Sequence, residues 1–151
     1  MILTTKRLVL REFEEDDWRA ILAYQSDPLY LRYNPWTHRT ELDVRAFVQL
    51  FLAQREEEPR TKFQFAITLA PDGQLIGNAG IRMRTPDAWE AEIGYELDPR
   101  YWGRGYATEA AQALLAFGSW GSTVSGHGVL LRIAPPRVCW KRLGCDRKDA
   151  C

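Results

Sequence analysis

Cysteine is absent from the first 138 residues of this 151-residue chain. The three that exist, Cys139, Cys145 and Cys151, are odd in number and lack C-x-x-C spacing. Neither a disulfide framework nor a zinc site follows from them. Histidine is nearly as scarce. His38 and His127 stand alone without a ligand-spaced partner, so no metal is expected and no Ser-His-Asp reading survives. No apolar run reaches the roughly 18 residues needed to span a bilayer. The opening Met1-Ile2-Leu3-Thr4-Thr5-Lys6-Arg7 has no apolar h-region, so a cytoplasmic protein without a membrane partner is expected. Neither charge predominates, with 20 basic and 20 acidic residues. That balance argues against a general nucleic-acid binder.

The balance is a sum of two unlike parts. Residues 1–118 hold 14 basic and 18 acidic residues, net −4, whereas residues 119–151 hold 6 and 2, net +4. The last glutamate is Glu109, and all three cysteines fall in the final 13 residues. A single domain seldom changes composition so abruptly.

Hydrophobic spacing gives the element order. Arg7-Leu8-Val9-Leu10-Arg11, within Leu3 to Phe13, predicts a short strand. Glu14-Glu15-Asp16-Asp17 opens a helix with acids at its positive end, and Trp18, Ile21, Leu22 and Gln25 share one face. Pro28 ends that helix, and Tyr30 to His38 reads as irregular, with a turn at Pro35-Trp36. Thr40 to Glu57 predicts a second helix with an apolar stripe of Val44, Phe47, Val48, Phe51 and Leu52. Lys62 to Leu69 alternates as a strand, Pro71-Asp72-Gly73 makes a hairpin turn, and Gln74 to Met83 is the partner strand. Pro86-Asp87 marks another turn, Trp89 to Leu97 a third strand, and Ala107 to Phe117 a helix. The class is α+β with a central, mostly antiparallel sheet flanked by helices.

The chemistry concentrates where the third strand runs through a glycine-containing loop into the last helix. Amides at a helix start are unpaired and point outward, with the positive dipole end behind them, which suits a pyrophosphate. Gly103 and Gly105 let the backbone approach phosphate oxygens without a Cβ in the way. The same two glycines also fit an ordinary turn. A dinucleotide site of the Rossmann type lacks its third glycine and its parallel strands. A Walker A loop lacks its Gly-Lys-Ser/Thr.

Arg100-x-x-Gly103-x-Gly105-x-Ala107 resembles the acetyl-CoA pyrophosphate loop of the GNAT acetyltransferases. The wider string Glu92-Ile93-Gly94-Tyr95, then Trp102 to Ala110, resembles the branch that acetylates ribosomal-protein N-termini (alanine or serine). Leu3-Thr4-Thr5-x-Arg7-Leu8-x-Leu10-Arg11 and Gln74 to Ile81 fit the same branch, so the likeness covers residues 3–118 in order.

The resemblance implies transfer of acetyl from acetyl-CoA, the co-substrate, directly to an amine. The amine would belong to a protein N-terminus or a small molecule, with a homodimer left open. It places Leu97 where the family's strand pairs with the pantetheine arm. It puts the pyrophosphate on the amides of Gly103, Arg104, Gly105, Tyr106, Ala107 and Thr108. An attacking ammonium must lose a proton to a base within hydrogen-bond or one-water reach. Glu92, on the strand leading to the thioester, is the candidate. It also reads as a solvated strand carboxylate. Tyr95 reads as core, and Tyr33, Trp36 and Trp89 are candidates for an acceptor pocket or for core. A non-catalytic acyl-CoA-binding or degenerate paralogue domain is the alternative function.

After Phe117-Gly118 the family pattern of a strand, Asn-x-x-Ser and a helix ending Val-Leu-Glu-Lys-Leu-Gly is not found. Back-translation supplies a reason. Cys139-Trp140-Lys141 is TGY-TGG-AAR, and one nucleotide upstream the codons become NTG-YTG-GAA. Those encode Leu, Met or Val, then a forced Leu and a forced Glu. Trp120-Gly121 forces a glycine in the same frame. Ile133 to Arg137 permits Asn-Arg-Ala-Ser-Ala, and Cys145 to Asp149 permits Met-Arg-Pro-Glu-Gly. The expectation is a GNAT-like domain over residues 1–118, with 119–151 an out-of-frame tail and the C-terminal part of the fold missing or mis-sequenced. A polypeptide with this tail is expected to lack the strand beside Trp89–Leu97 and the cofactor-binding Asn. It would also lack the helix bearing the thiolate's proton donor, expose a sheet edge and show little activity.

Overall fold

A computed structural model describes residues 2–34, 37–85, 90–122 and 130–133. Among the described residues six strands form one sheet in chain order: β1 (Ile2–Thr4), β2 (Leu8–Glu12), β3 (Lys62–Leu69), β4 (Leu75–Met83), β5 (Glu90–Leu97) and β6 (Leu130–Ile133). The first five pair antiparallel, and β6 runs parallel to β5. The helices are α1 (Trp18–Gln25), α2 (Pro28–Arg32), α3 (Glu41–Arg55) and α4 (Tyr106–Ser122). This is α+β, with a mostly antiparallel sheet between helices.

Both sheet faces are covered, with Phe63, Phe65, Ile67 and Leu69 of β3 on one and Gln64, Ala66 and Thr68 on the other. Phe65 and Ile67 face one core with Leu8, Leu10, Ile81, Ile93, Tyr95 and the α4 residues Ala110 and Leu114. Ala66 faces a second with Ile21, Tyr24, Val44, Val48 and Phe51 from α1 and α3. Each fully buried large apolar side chain contributes about 1.5–3 kcal/mol. Tyr95 is 4% exposed within the first core, as expected of a packing residue. Phe47 and Leu52 flank the second core as partly buried residues.

Three segments differ from expectation. The opening strand is a hairpin, β1 and β2, because Thr5 turns the chain. Its hydroxyl bonds the Leu8 carbonyl and its amide reaches the same oxygen at 2.9 Å. Pro28 starts a helix rather than merely ending one. Asp27 caps it by accepting from the Leu29 amide at 2.9 Å, and proline at the first helical position loses no bond. The acids before α1 do more than complement a dipole. Asp17 accepts from the Glu14 amide and, through both carboxylate oxygens, from the Arg11 guanidinium at 2.8 and 2.9 Å. That neighbour raises the Arg11 pKa, with burial opposing it.

The edge beyond β5, expected to be bare, carries β6 over Glu90 to Ile93, opposite Leu130 to Ile133. An edge strand offers unpaired backbone groups, and a short segment needs only its own backbone to join them. Pro35-Trp36, Pro86-Asp87, Trp89, His127 and the three cysteines lie outside the described residues. None of the described helices is long and apolar enough to cross a membrane.

Candidate active site

β5 delivers the chain to the glycine loop, and its side chains divide by the strand's period of two. Ile93, Tyr95 and Leu97 enter the α4-side core. Glu92, Gly94 and Glu96 face the side on which α1 and α2 pack. Glu92 is exposed, with Arg82 of β4 and Arg132 of β6 at its register positions. β5 pairs with β6 only as far as Ile93. From Gly94 to Leu97 the described residues place no strand on that outer edge. A strand edge that opens between two parallel neighbours admits an extended ligand that pairs with backbone.

Leu97 stands at the end of this open edge. Asp98 donates its amide to the Ile76 carbonyl of β4 at 2.7 Å, so alternation turns the N–H and C=O of Leu97 outward. The carbonyl accepts the Trp102 indole N–H at 2.9 Å. The N–H of Leu97 is therefore the group of this residue suited to an arriving ligand.

The loop that follows is built for close approach. Asp98 caps a 3-10 turn over Pro99–Tyr101 by accepting from the Arg100 amide at 3.0 Å. Gly103 and Gly105 have φ of +73° and +80°, a left-handed conformation that side chains with a Cβ rarely adopt. Both are exposed, as are Arg104 and Thr108, while Tyr106 is half-buried and Ala107 buried. The first intrahelical bond of α4 runs from the Glu109 amide to the Gly105 carbonyl at 3.1 Å. The amides of Tyr106, Ala107 and Thr108 precede it and have no acceptor in the helix. These donors, behind a 17-residue helix, fit a pyrophosphate.

A clamp from the far end of the sequence holds this loop. Glu109 accepts from the Thr5 hydroxyl at 2.6 Å, the Arg7 amide at 2.9 Å and the Arg7 Nε at 2.8 Å. Arg7 in turn donates from Nη1 to the Arg104 carbonyl at 3.0 Å and lies over the Tyr106 ring. The β1–β2 turn thereby fixes the peptide between the two glycines. Burial alone would raise the Glu109 pKa, but the bonds from Thr5 and Arg7 outweigh it and hold the carboxyl below its ordinary 4.5. A depressed carboxyl contributes stability above its unfolded pKa, and this is lost as pH falls through the folded value. Glu109→Gln is therefore expected to lower Tm at neutral pH, with the gap to the unaltered chain closing below about pH 4.5. Melting curves across pH 3 to 7 check this, and a gap that persists unchanged in acid would contradict it.

One buried carboxylate that accepts from four different residues was not singled out in the sequence. Glu96, 1% exposed, accepts from Tyr24 at 2.7 Å, Gln25 at 2.8 Å, Asn78 at 2.6 Å and Tyr30 at 2.7 Å. Burial pushes the Tyr24 and Tyr30 hydroxyls well up, and the adjacent Glu96 charge pushes them further, so both remain donors. The clamp residues did fall within the quoted motifs, but their contact spans 102 residues.

Of the acceptor-pocket candidates, Tyr33 is 42% exposed and meets the Trp102 ring edge-on at 6.0 Å. His38 is exposed. Among the described residues no group of three or more His, Cys, Asp or Glu could hold a metal ion.

An open strand edge leading to a glycine loop and helix start is what an acetyl-CoA site requires, and residues 7–135 match the family model described as Acetyltransferase (GNAT) domain. The chain belongs to the GNAT acetyltransferases. Its activity is acetyl-CoA-dependent N-acetylation. It is 38% identical over 152 residues to the uncharacterized N-acetyltransferase YnaD of Bacillus subtilis, covering 98% of this chain and 84% of that protein. A GNAT-family acetyltransferase structure from Bacillus anthracis matches with a TM-score of 0.64 and 32% identity, over 81% of this chain and 68% of that one. RimL, a ribosomal α-N-protein acetyltransferase solved in complex with coenzyme A, shares the fold with a TM-score of 0.62 at 22% identity. That likeness covers 78% of this chain and 67% of RimL.

Proposed function

We propose that this GNAT enzyme acetylates an amine, either a protein N-terminal α-amine or a small-molecule amine, by direct attack on the acetyl-CoA thioester. The observation that carries the reading is the exposed carboxylate of Glu92, on the face of β5 beside the edge that opens past Ile93. Supporting it are the donors at the α4 start and the acceptor named for RimL, a protein α-amine.

Glu92 takes a proton from the ammonium, directly or through one water. The freed nitrogen forms a bond to the acetyl carbon, the carbon–sulfur bond breaks with its electron pair leaving on sulfur, and loss of the surplus nitrogen proton with protonation of the thiolate gives the amide and free CoA thiol. The backbone of Gly103, Arg104, Gly105, Tyr106, Ala107 and Thr108 holds the pyrophosphate, and the Leu97 N–H pairs with the pantetheine arm. The protein's contribution is position and proton removal.

Thermal shift with CoA and with NAD, followed by thiol release from acetyl-CoA over an amine panel, tests the reading. The panel pairs peptides with free and blocked N-termini and adds small amines. Stabilisation by CoA alone and thiol release only with free amines are expected, since a ligand of the folded state raises its apparent stability. CoA stabilisation without turnover would favour a non-catalytic acyl-CoA-binding domain, and stabilisation by NAD alone would overturn the site assignment.

We further propose that residues 119–151 are translated out of frame. The shift of net charge to +4 and the forced Leu-Glu codons under Trp140-Lys141 support this. The expected nucleotide sequence across Phe117 to Trp120 shows a single insertion or deletion relative to a gene encoding the continued family pattern. Intact mass then separates the two sources. A mass matching the written tail places the shift in the gene, and any other mass places it in the recorded sequence.

A further inference from the structure

Glu96 is the most completely enclosed acid described; it sits on the open stretch of β5, but its carboxylate bonds to groups of α1, α2 and β4 and not to the glycine loop. Charge in the interior is tolerated only where hydrogen bonds replace water, and Glu96 has four. Their donors come from α1 (Tyr24, Gln25), α2 (Tyr30) and β4 (Asn78). Asn78 is itself oriented by the Gln64 amide, which donates to its Oδ1 at 2.6 Å. Gln25 passes the network outward, since its Oε1 accepts from Arg39 Nε at 2.9 Å. One carboxylate thus ties two helices and the segment before α3 to the strand that carries Glu92. Tyr33, which follows α2, is half-exposed against Trp102, beside the approach to the glycine loop.

We infer that Glu96 is a positioning residue for the acceptor: it fixes α1 and α2 over the face of β5 bearing Glu92, and so sets the wall past which the amine reaches the thioester. This rests on the acetyl-transfer reading above. The glycine loop is held separately by Arg7 and Glu109, so the pyrophosphate donors do not depend on the Glu96 side chain.

Glu96→Gln keeps the shape but turns an amide NH₂ toward groups that are already donors. Tyr30→Phe removes a single hydroxyl and is the milder variant. The test measures CoA thermal shift and steady-state kinetics with a free-N-terminus peptide. Glu96→Gln is expected to raise acceptor KM about tenfold, and Tyr30→Phe by about threefold, because bonds to a buried charge are lost. The CoA shift stays and kcat holds within about twofold at saturating acceptor. If Glu96→Gln does not fold, Tyr30→Phe decides by the same criterion. Unchanged acceptor KM in a folded variant overturns the inference, as does a fall in kcat or in CoA binding with KM unmoved. Failure of the unaltered chain to acetylate any amine defeats the transfer reading itself, and this inference with it.

Discussion

Glu92→Gln is expected to lower kcat about 10²- to 10⁴-fold, the range that a positioned general base contributes. The variant keeps size and polarity but cannot accept the ammonium proton. Glu92 is exposed on the face opposite the α4-side core, so neither fold nor CoA stabilisation is expected to change. The sign of the pH effect follows from the chemistry. At high pH a growing share of the acceptor is already free amine, so the deficit shrinks as pH rises toward the amine's own pKa. Rates at saturating acetyl-CoA from pH 6 to 10 check this. A variant with unaltered kcat at neutral pH would return Glu92 to the status of a solvated strand carboxylate.

Gly105→Ala is the second large effect. The position has φ of +80°, and a Cβ there would lie 3.4 Å from Arg7 Nη2. Left-handed backbone costs an L-residue roughly 1–2 kcal/mol. The chain escapes that cost by moving the peptide on which the pyrophosphate donors depend. Acetyl-CoA affinity is expected to fall about 5- to 30-fold, the equivalent of that energy, with kcat at saturation preserved. Gly103→Ala makes a useful contrast. Its φ is +73°, but a Cβ would meet nothing within 4 Å, so backbone strain acts there without the crowding of Arg7. Its effect is expected to be the smaller. Isothermal titration with CoA measures both, and equal affinities for all three chains would remove the glycine loop from the site.

The form of the glycine loop was legible because its determinants are local. Gly103, Gly105 and the helix start lie within a few residues, and positive φ and free amides follow from glycine and from helix termini alone. The strands β3 and β4 and the helix α3 were equally plain, since alternation marks β3, the Pro71-Asp72-Gly73 turn sets its partner, and an apolar stripe marks α3. Two features were not legible. The Arg7–Glu109 clamp joins motifs that were both noticed, but no spacing rule relates residues 102 positions apart. Glu96 looked like any strand glutamate. Its burial depends on Tyr24, Gln25 and Tyr30 arriving from helices whose docking no periodicity encodes. Pro28 misled for a related reason. Proline ends a helix that precedes it and begins one that follows, and only the Asp27 cap decides between them.

The most direct measurement of the central claim follows thiol release from acetyl-CoA and acetylated peptide together, in the unaltered chain and in Glu92→Gln. The account predicts one acetylated α-amine per thiol released in the unaltered chain. It predicts neither product at a comparable rate in the variant, although both chains are stabilised by CoA. Thiol release without acetylated amine, or equal transfer by both chains, would contradict it.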